Sequence, residues 1–241
     1  MEFNILFPVY NEEKRIKKGI IDTYKYLSEN NFSDFILTII DNGSTDKTSE
    51  IAQELTALHS NIEYLKIESK GVGIAFKEGV LRSKSEIVGY MDIDLSTDVS
   101  YLLQVKKLFE QDSSLEIING SRFNKDSSAV GRKWYRNLTS YGLIYLLKIC
   151  LGMKASDAIC GFKFFKQDVA ISLISKCSEE NGWFFLIEIL LRAERDNLSI
   201  YELPVNWVDD IQNSSVNILQ VTYNYLKHIL KLMIEFKKQS K

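Results

Sequence analysis

Short apolar runs alternate with helix-periodic segments through the first half of the chain. The runs at 3–7, 35–40, 62–67 and 87–91 read as strands, and the intervening segments 14–28, 46–58 and 72–83 repeat apolar residues at helical spacing. Ile16, Ile20, Tyr24 and Leu27 mark the stripe of the first helix, with Asn11 as its expected N-cap. Repeated strand–helix–strand units predict an α/β fold, a mostly parallel central sheet with helices on both faces. Ligands of such sheets gather outside the carboxyl ends of the strands, where this chain places Tyr10-Asn11-Glu12, Asp41-Asn42-Gly43-Ser44, and Asp92 with Asp94. Three strand ends are expected to converge on one cleft.

After Asn119 the alternation loosens. Residues 120–136 make a polar, basic, lid-like loop ahead of an amphipathic helix, and Asp157 and Glu188 stand alone among aromatic and apolar neighbours. Residues 216–241 set Leu219, Leu226, Ile229, Leu230 and Met233 against Lys227, Lys231 and Lys238, an amphipathic helix. This predicts a main domain over 1–215 and a helical tail over 216–241. The tail suits peripheral contact with an anionic membrane, and equally packing on its own domain or on a second subunit in a homo-oligomer. The apolar stretch 138–151 falls short of the ~18 residues that span a bilayer and contains Lys148, so no transmembrane helix is expected. A strand-like segment opens the chain where a charged-then-apolar leader would stand, and the expected location is the cytoplasm, with any membrane contact on its inner face.

Composition narrows the function classes. The 241 residues suffice for one full core, and 30 basic against 32 acidic residues give a net charge of -2, which removes the electrostatic footprint of a nucleic-acid binder. Cys150, Cys160 and Cys177 lack metal-ligand spacing and read as reduced, buried thiols. His59 and His228 lie on helix-like segments away from the acidic strand ends, which argues against a hydrolase triad.

The candidate chemistry centres on Gly89-Tyr-Met-Asp92-Ile-Asp94-Leu-Ser-Thr97. If the backbone is extended there, Asp92 and Asp94 share one side and Ile93 points into apolar packing. Two adjoining carboxylates suit a hard cation bridged to substrate phosphates, hence a nucleotide-diphosphate substrate. Asp98 reads as the N-cap of the next helix. In 41–48, Asn-Gly marks a turn, Ser44 or Thr45 caps the following helix, and Asp41 is placed to accept a hydrogen bond from a ribose or base. Gly71-Val-Gly73 lacks the third glycine of a dinucleotide fingerprint; Gly73 and Gly79 then serve close helix-to-sheet packing, while amides near Gly71 are positioned for a phosphate. No P-loop motif is present. Arg122, Arg136 and Ser140 either receive a phosphate or belong to an ordinary solvated basic loop.

Taken in order, Phe7-Pro-Val-Tyr-Asn-Glu12, Asp41-Asn-Gly-Ser-Thr-Asp46, Asp92-Ile-Asp94-Leu-Ser, Gly120-Ser-Arg122, Asp157-Ala-Ile-Cys-Gly-Phe-Lys163 and Glu202-Leu-Pro-Val-Asn-Trp207 resemble the family-2 inverting glycosyltransferases. The nearest look is the dolichyl-phosphate glucosyltransferase and dolichyl-phosphate mannose synthase branch. The resemblance implies the GT-A fold, a nucleotide-sugar donor and Mg2+ or Mn2+. It implies that Pro8, Tyr10, Glu12 and Asp41 frame the nucleotide, that Asp92 and Asp94 serve metal and diphosphate, and that Arg122, Arg136 and Ser140 receive an acceptor phosphate. Val72, Leu186 and Ser215 depart from residues common in that family. A polyprenyl-phosphate acceptor needs no strong base, whereas a saccharide hydroxyl would call on Asp157 or Glu188. The function classes are therefore a polyprenyl-phosphate glycosyltransferase, a glycosyltransferase acting on a saccharide or protein, and a non-catalytic nucleotide-sugar binder.

Overall fold

A computed structural model describes residues 1–130, 134–208 and 218–239, with side chains described outside 128–136 and 209–220. The predicted alternation is present as β1 (Phe3–Val9), α1 (Ile16–Glu29), β2 (Phe35–Asp41), α2 (Thr48–Leu58), β3 (Ile62–Lys66), α3 (Val72–Arg82) and β4 (Ile87–Met91). There follow α4 (Tyr101–Gln111), β5 (Ile117–Ser121), β6 (Ser128–Val130), α5 (Trp134–Leu151), β7 (Phe162–Lys166), α6 (Gln167–Lys176), α7 (Phe184–Arg195), β8 (Ile200–Pro204), β9 (Asn206–Val208) and α8 (Ile218–Gln239).

The main sheet runs β3-β2-β1-β4-β7-β5-β8. All neighbouring pairs are parallel except those of β7, which is antiparallel to both β4 and β5. Side-chain alternation divides the core between the two faces. Phe3, Ile5 and Phe7 point toward α1, α2 and α4, and Leu6 with Ile40 points toward α3, α6 and α7. Helices α5 and α8 pack on one another, and Leu147, Ile229, Leu232 and Phe236 join the second cluster.

Several element ends differ from expectation. Strand β4 stops at Met91, so Asp92 and Asp94 lie in a turn closed by Leu95 N–H on Asp92 O, with Leu95 at φ 54°, rather than on extended backbone. Ile93 is still buried, against α1. Asn11 does not cap α1; it sits at φ 56° and its Oδ1 accepts from Thr45 N–H across the cleft rim. Neither Ser44 nor Thr45 caps α2, because Ser44 Oγ accepts from Asn11 N–H and Asp46 Oδ1 takes Thr48 N–H instead. Asp98 Oδ1 accepts from Ser100 N–H, in the turn just ahead of α4. The expected division at 215, and Ser215 itself, lie outside the described residues.

Candidate functional site

The rim of the site is built from two loops bonded to each other. Asn11 N–H donates to Ser44 Oγ at 3.0 Å, Glu12 N–H to Thr48 Oγ1 at 2.7 Å, and Glu13 N–H to Asp46 Oδ2 at 3.1 Å, so the segments after β1 and β2 form one surface. Pro8 lies within β1 and Tyr10 just beyond it, half-exposed, with the Lys70 ammonium 2.7 Å from its Oη. Asp41 is fully buried at the end of β2. It uses both oxygens inside the protein, Oδ1 on Ser44 N–H at 2.8 Å and Oδ2 on the Tyr64 hydroxyl at 2.9 Å. Burial and the adjoining Asp41 push that hydroxyl up to about 12. A ribose or base reaching Asp41 would have to displace Tyr64.

The acidic turn forms the floor. Asp94 Oδ1 accepts from Ser96 N–H at 2.9 Å, and Asp94 Oδ2 lies 4.0 Å from Arg15 Nη1. Arg15 in turn grips Glu12 through Nε and Nη2, both at 2.6 Å. Arg15 therefore joins Glu12 on the rim to Asp94 in the acidic turn, a link not expected from the sequence although Glu12 and Arg15 stand at i,i+3 at a helix start. Asp92 accepts from the buried Tyr90 hydroxyl at 2.5 Å, and its carboxylate lies directly against Gly161, where a methyl group would overlap it. On the other side, a Cβ at Gly19 of α1 would collide with the carbonyl of Ile93. Two glycines thus let α1 and the 157–161 loop close on the turn.

Burial, and then the charge of Asp94, push the Asp92 carboxyl up to about 7. A divalent cation fits this pair: the donors are hard carboxylate oxygens, and the charge the turn lacks is positive. Among the described residues no three His, Cys, Asp or Glu side chains converge, so such a cation would complete its shell from outside that set, as substrate phosphates can.

Deeper lies a buried ion pair. Arg122, at the end of β5, donates Nε and Nη2 to Asp157 Oδ2 and Oδ1 at 2.7 and 3.0 Å, and the Arg122 and Ile159 amides supply Asp157 with two more bonds. Asp157 has no exposed surface. Burial opposes its charge, and the guanidinium more than offsets this, holding its carboxyl below the ordinary value. The carboxylate expected to serve as base for a saccharide acceptor thus has both oxygens engaged by Arg122 and two backbone amides. Lys163, equally buried, donates to Asn119 Oδ1 at 2.6 Å, and burial pushes its ammonium down to about 8. The Arg122 guanidinium lies 4.9 Å over Trp207 of β9, and the neighbouring Val208 N–H donates to Ser96 O at 2.9 Å. Hence β9 ties the acidic turn to the arginine.

Glu188, the other expected base, is likewise engaged, as a carboxylate on a core helix requires. It sits without exposure in α7, bonded to Ser178 N–H and Oγ at 2.8 and 2.6 Å and to Arg192 at 2.7 Å. Gly71 heads α3 at φ 141°, where a side chain would strike the Asn181 carbonyl, and Gly73 packs against Phe185 and Gly182 rather than the sheet. Gly79 does pack on the sheet, against Leu6 and Ile40. Ser140 is buried on α5, Tyr141 beside it tilts against Phe123 with ring centroids 4.6 Å apart, and the side chain of Arg136 lies outside the described residues.

The profile of glycosyl transferase family 2 matches residues 4–174. The chain is 31% identical to a dolichyl-phosphate beta-glucosyltransferase of Dictyostelium discoideum, over 95% of this chain and 76% of that one. It is 29% identical to a dolichyl-phosphate beta-glucosyltransferase of Trichomonas vaginalis, over 89% and 68%. Among solved structures, glucosyl-3-phosphoglycerate synthase from Mycobacterium tuberculosis, in complex with Mn2+, uridine diphosphate and glucosyl-3-phosphoglycerate, superimposes with a TM-score of 0.70 at 16% identity, covering 96% of this chain and 79% of that one. At that identity the likeness is one of fold, and the fold is GT-A.

Proposed function

The chain belongs to glycosyl transferase family 2, and from that premise we propose that it moves a hexose, with inversion, from a nucleotide-sugar donor to a polyprenyl phosphate. Glucose from a UDP donor is the specific reading, supported by the dolichyl-phosphate beta-glucosyltransferases that match most of its length. The observation that carries the acceptor class is the fate of the two expected bases: Asp157 and Glu188 are both fully buried in arginine pairs. A sugar hydroxyl must lose a proton as it attacks, whereas a phosphate monoester oxygen is already ionised near neutral pH.

In this reading Pro8, Tyr10 and Glu12 frame the nucleotide, with Asp41 behind them and the Gly71 amides near the diphosphate. Asp92 and Asp94 would hold Mg2+ or Mn2+. When bound, that cation offsets the charge developing on the departing nucleoside diphosphate. Arg15 keeps Asp94 and Glu12 in register, so donor and acidic turn are positioned together. Asp157 takes Nε and Nη2 of Arg122 and leaves Nη1 for the acceptor phosphate, alongside Ser140 and Arg136. No helix among the described residues is long and apolar enough to cross a membrane, and the enzyme works on its lipid from the cytoplasmic face. The tail helix contributes to that contact.

The test is release of nucleoside diphosphate from a panel of UDP- and GDP-sugars, with Mg2+ or Mn2+, with and without polyprenyl phosphate. Release from UDP-glucose that requires the lipid is expected. Release driven by a saccharide acceptor instead would overturn the acceptor class, and donor binding with no transfer to either would leave a nucleotide-sugar binder.

A further inference from the structure

The turn that carries Asp92 is fastened through its backbone on both sides. Asp92 N–H donates to Gly161 O at 3.2 Å, and Asp92 O accepts from Leu95 N–H at 3.2 Å. The backbone leaves the torsion of the carboxylate undecided, and repulsion from the nearby Asp94 favours swinging it away. One hydroxyl decides that torsion. Tyr90 Oη donates to Asp92 Oδ1 at 2.5 Å, a charge-assisted bond, while the bare Cα of Gly161 leaves the room in which Oδ2 lies. Among the described residues Oδ2 accepts no hydrogen bond, so the core engages one oxygen of Asp92 and leaves the other.

We infer that Tyr90 is a positioning residue for the cation site: its hydroxyl locks the Asp92 carboxylate from the core side and leaves Oδ2 for a divalent cation shared with Asp94. Tyr90 suits this role because it is itself held. It is 1% exposed, its ring centroid lies 6.4 Å from that of Phe76 on α3, and it stands in register with Lys163 of β7. Lys163 pairs in turn with Asn119 of β5, and Asn119 with Glu202 of β8, one polar row across four strands. Lys163 Nζ donates to Asn119 Oδ1 at 2.6 Å and Asn119 Nδ2 to Asp157 O at 2.8 Å. The row beside Tyr90 therefore also holds the segment whose carboxylate pairs with Arg122. Phenylalanine would fill the same apolar space at position 90, and a buried hydroxyl costs free energy unless it is bonded. Its printed bond goes to the acidic turn, and that is where its effect lies. The inference rests on the reading of Asp92 and Asp94 as the metal pair.

The experiment titrates Mn2+ into the full chain with saturating UDP and reads free Mn2+ by electron paramagnetic resonance. Tyr90→Phe keeps the ring and removes only the hydroxyl, so the fold is retained. It is expected to bind Mn2+ roughly tenfold or more weakly than wild type, with UDP binding in the absence of metal unchanged. Tyr64→Phe, which breaks the corresponding bond to Asp41 at 2.9 Å, is the control and should leave the Mn2+ affinity as it is. A Tyr90→Phe affinity equal to wild type overturns the inference and leaves the metal reading standing, the hydroxyl then being a buried group that simply found an acceptor. An equal loss in both tyrosine variants overturns it as well, since any broken tyrosine-to-aspartate bond would then suffice. A wild type that takes up no Mn2+ with UDP ends the metal reading itself, and the role of Tyr90 with it.

Discussion

Asp157 and Arg122 make a buried pair in which both carboxylate oxygens have partners, and removing one member strands the other. Asp157→Asn is expected to cost about 3–5 kcal/mol in urea unfolding; a variant of unchanged stability that has lost turnover would restore the base role instead. Asp94 is the opposite case, partly exposed with one oxygen on Ser96 and the other facing Arg15. Asp94→Ala should lower turnover by about 10²–10³-fold or more with the fold retained, and metal-dependent activity that survives the change would end its metal role. Lys163 links residue chemistry to pH. Its ammonium sits at about 8 in the folded chain against an ordinary 10.5. Below pH 8 folded and unfolded chains both carry the proton; between the two values only the unfolded chain keeps it, so stability climbs with pH across that window. Wild type should gain about 2–3 kcal/mol on Lys163→Met between about pH 7 and 10, read from paired urea curves. Parallel curves would mean that burial does not perturb the ammonium.

At the scale of elements, the site depends on how near α1 and the loop before β7 approach the acidic turn. Gly19 and Gly161 set those distances, the first against the Ile93 carbonyl and the second against the Asp92 carboxylate. Gly19→Ala and Gly161→Ala are expected to displace the turn and to lose activity together with about 1–3 kcal/mol of stability. Gly142, in the middle of α5 with nothing within 4 Å of an added Cβ, is the contrast. Gly142→Ala should raise stability by about 0.5–1 kcal/mol through helix entropy alone, which a thermal melt reads directly. Equal effects at the three glycines would show that close packing at the turn is not what selects glycine there.

Across the whole molecule, α8 is not a detachable appendage. Ile229, Leu232 and Phe236 belong to the core cluster beneath it, and Glu235 completes the Arg192–Glu188 pair. Cutting the chain after Ser215 should therefore lower stability by on the order of 5 kcal/mol, seen as an early, broadened melt, and a truncation that melts like the full chain would contradict the packing.

Much of this was legible in the residues themselves. The β1-to-β4 alternation follows from hydrophobic period, because period reports which stripe of an element is buried and nothing beyond the element is needed. The nearness of Glu12 and Asp94, joined through Arg15, follows as well, since the parallel strands β1 and β4 put their carboxyl ends at one edge. Glu188-Arg192 and Glu12-Arg15 were readable as i,i+4 and i,i+3 pairs. Other features belong to the tertiary structure. The antiparallel insertion of β7 is decided by which strand edges meet, and period is silent on that. Whether Asp157 faces substrate or an arginine 35 residues away depends on neighbours brought together only by the fold. A burial pattern is written locally along the chain, but the partner of a buried charge and the exposure of a surface are set by packing between segments distant in sequence.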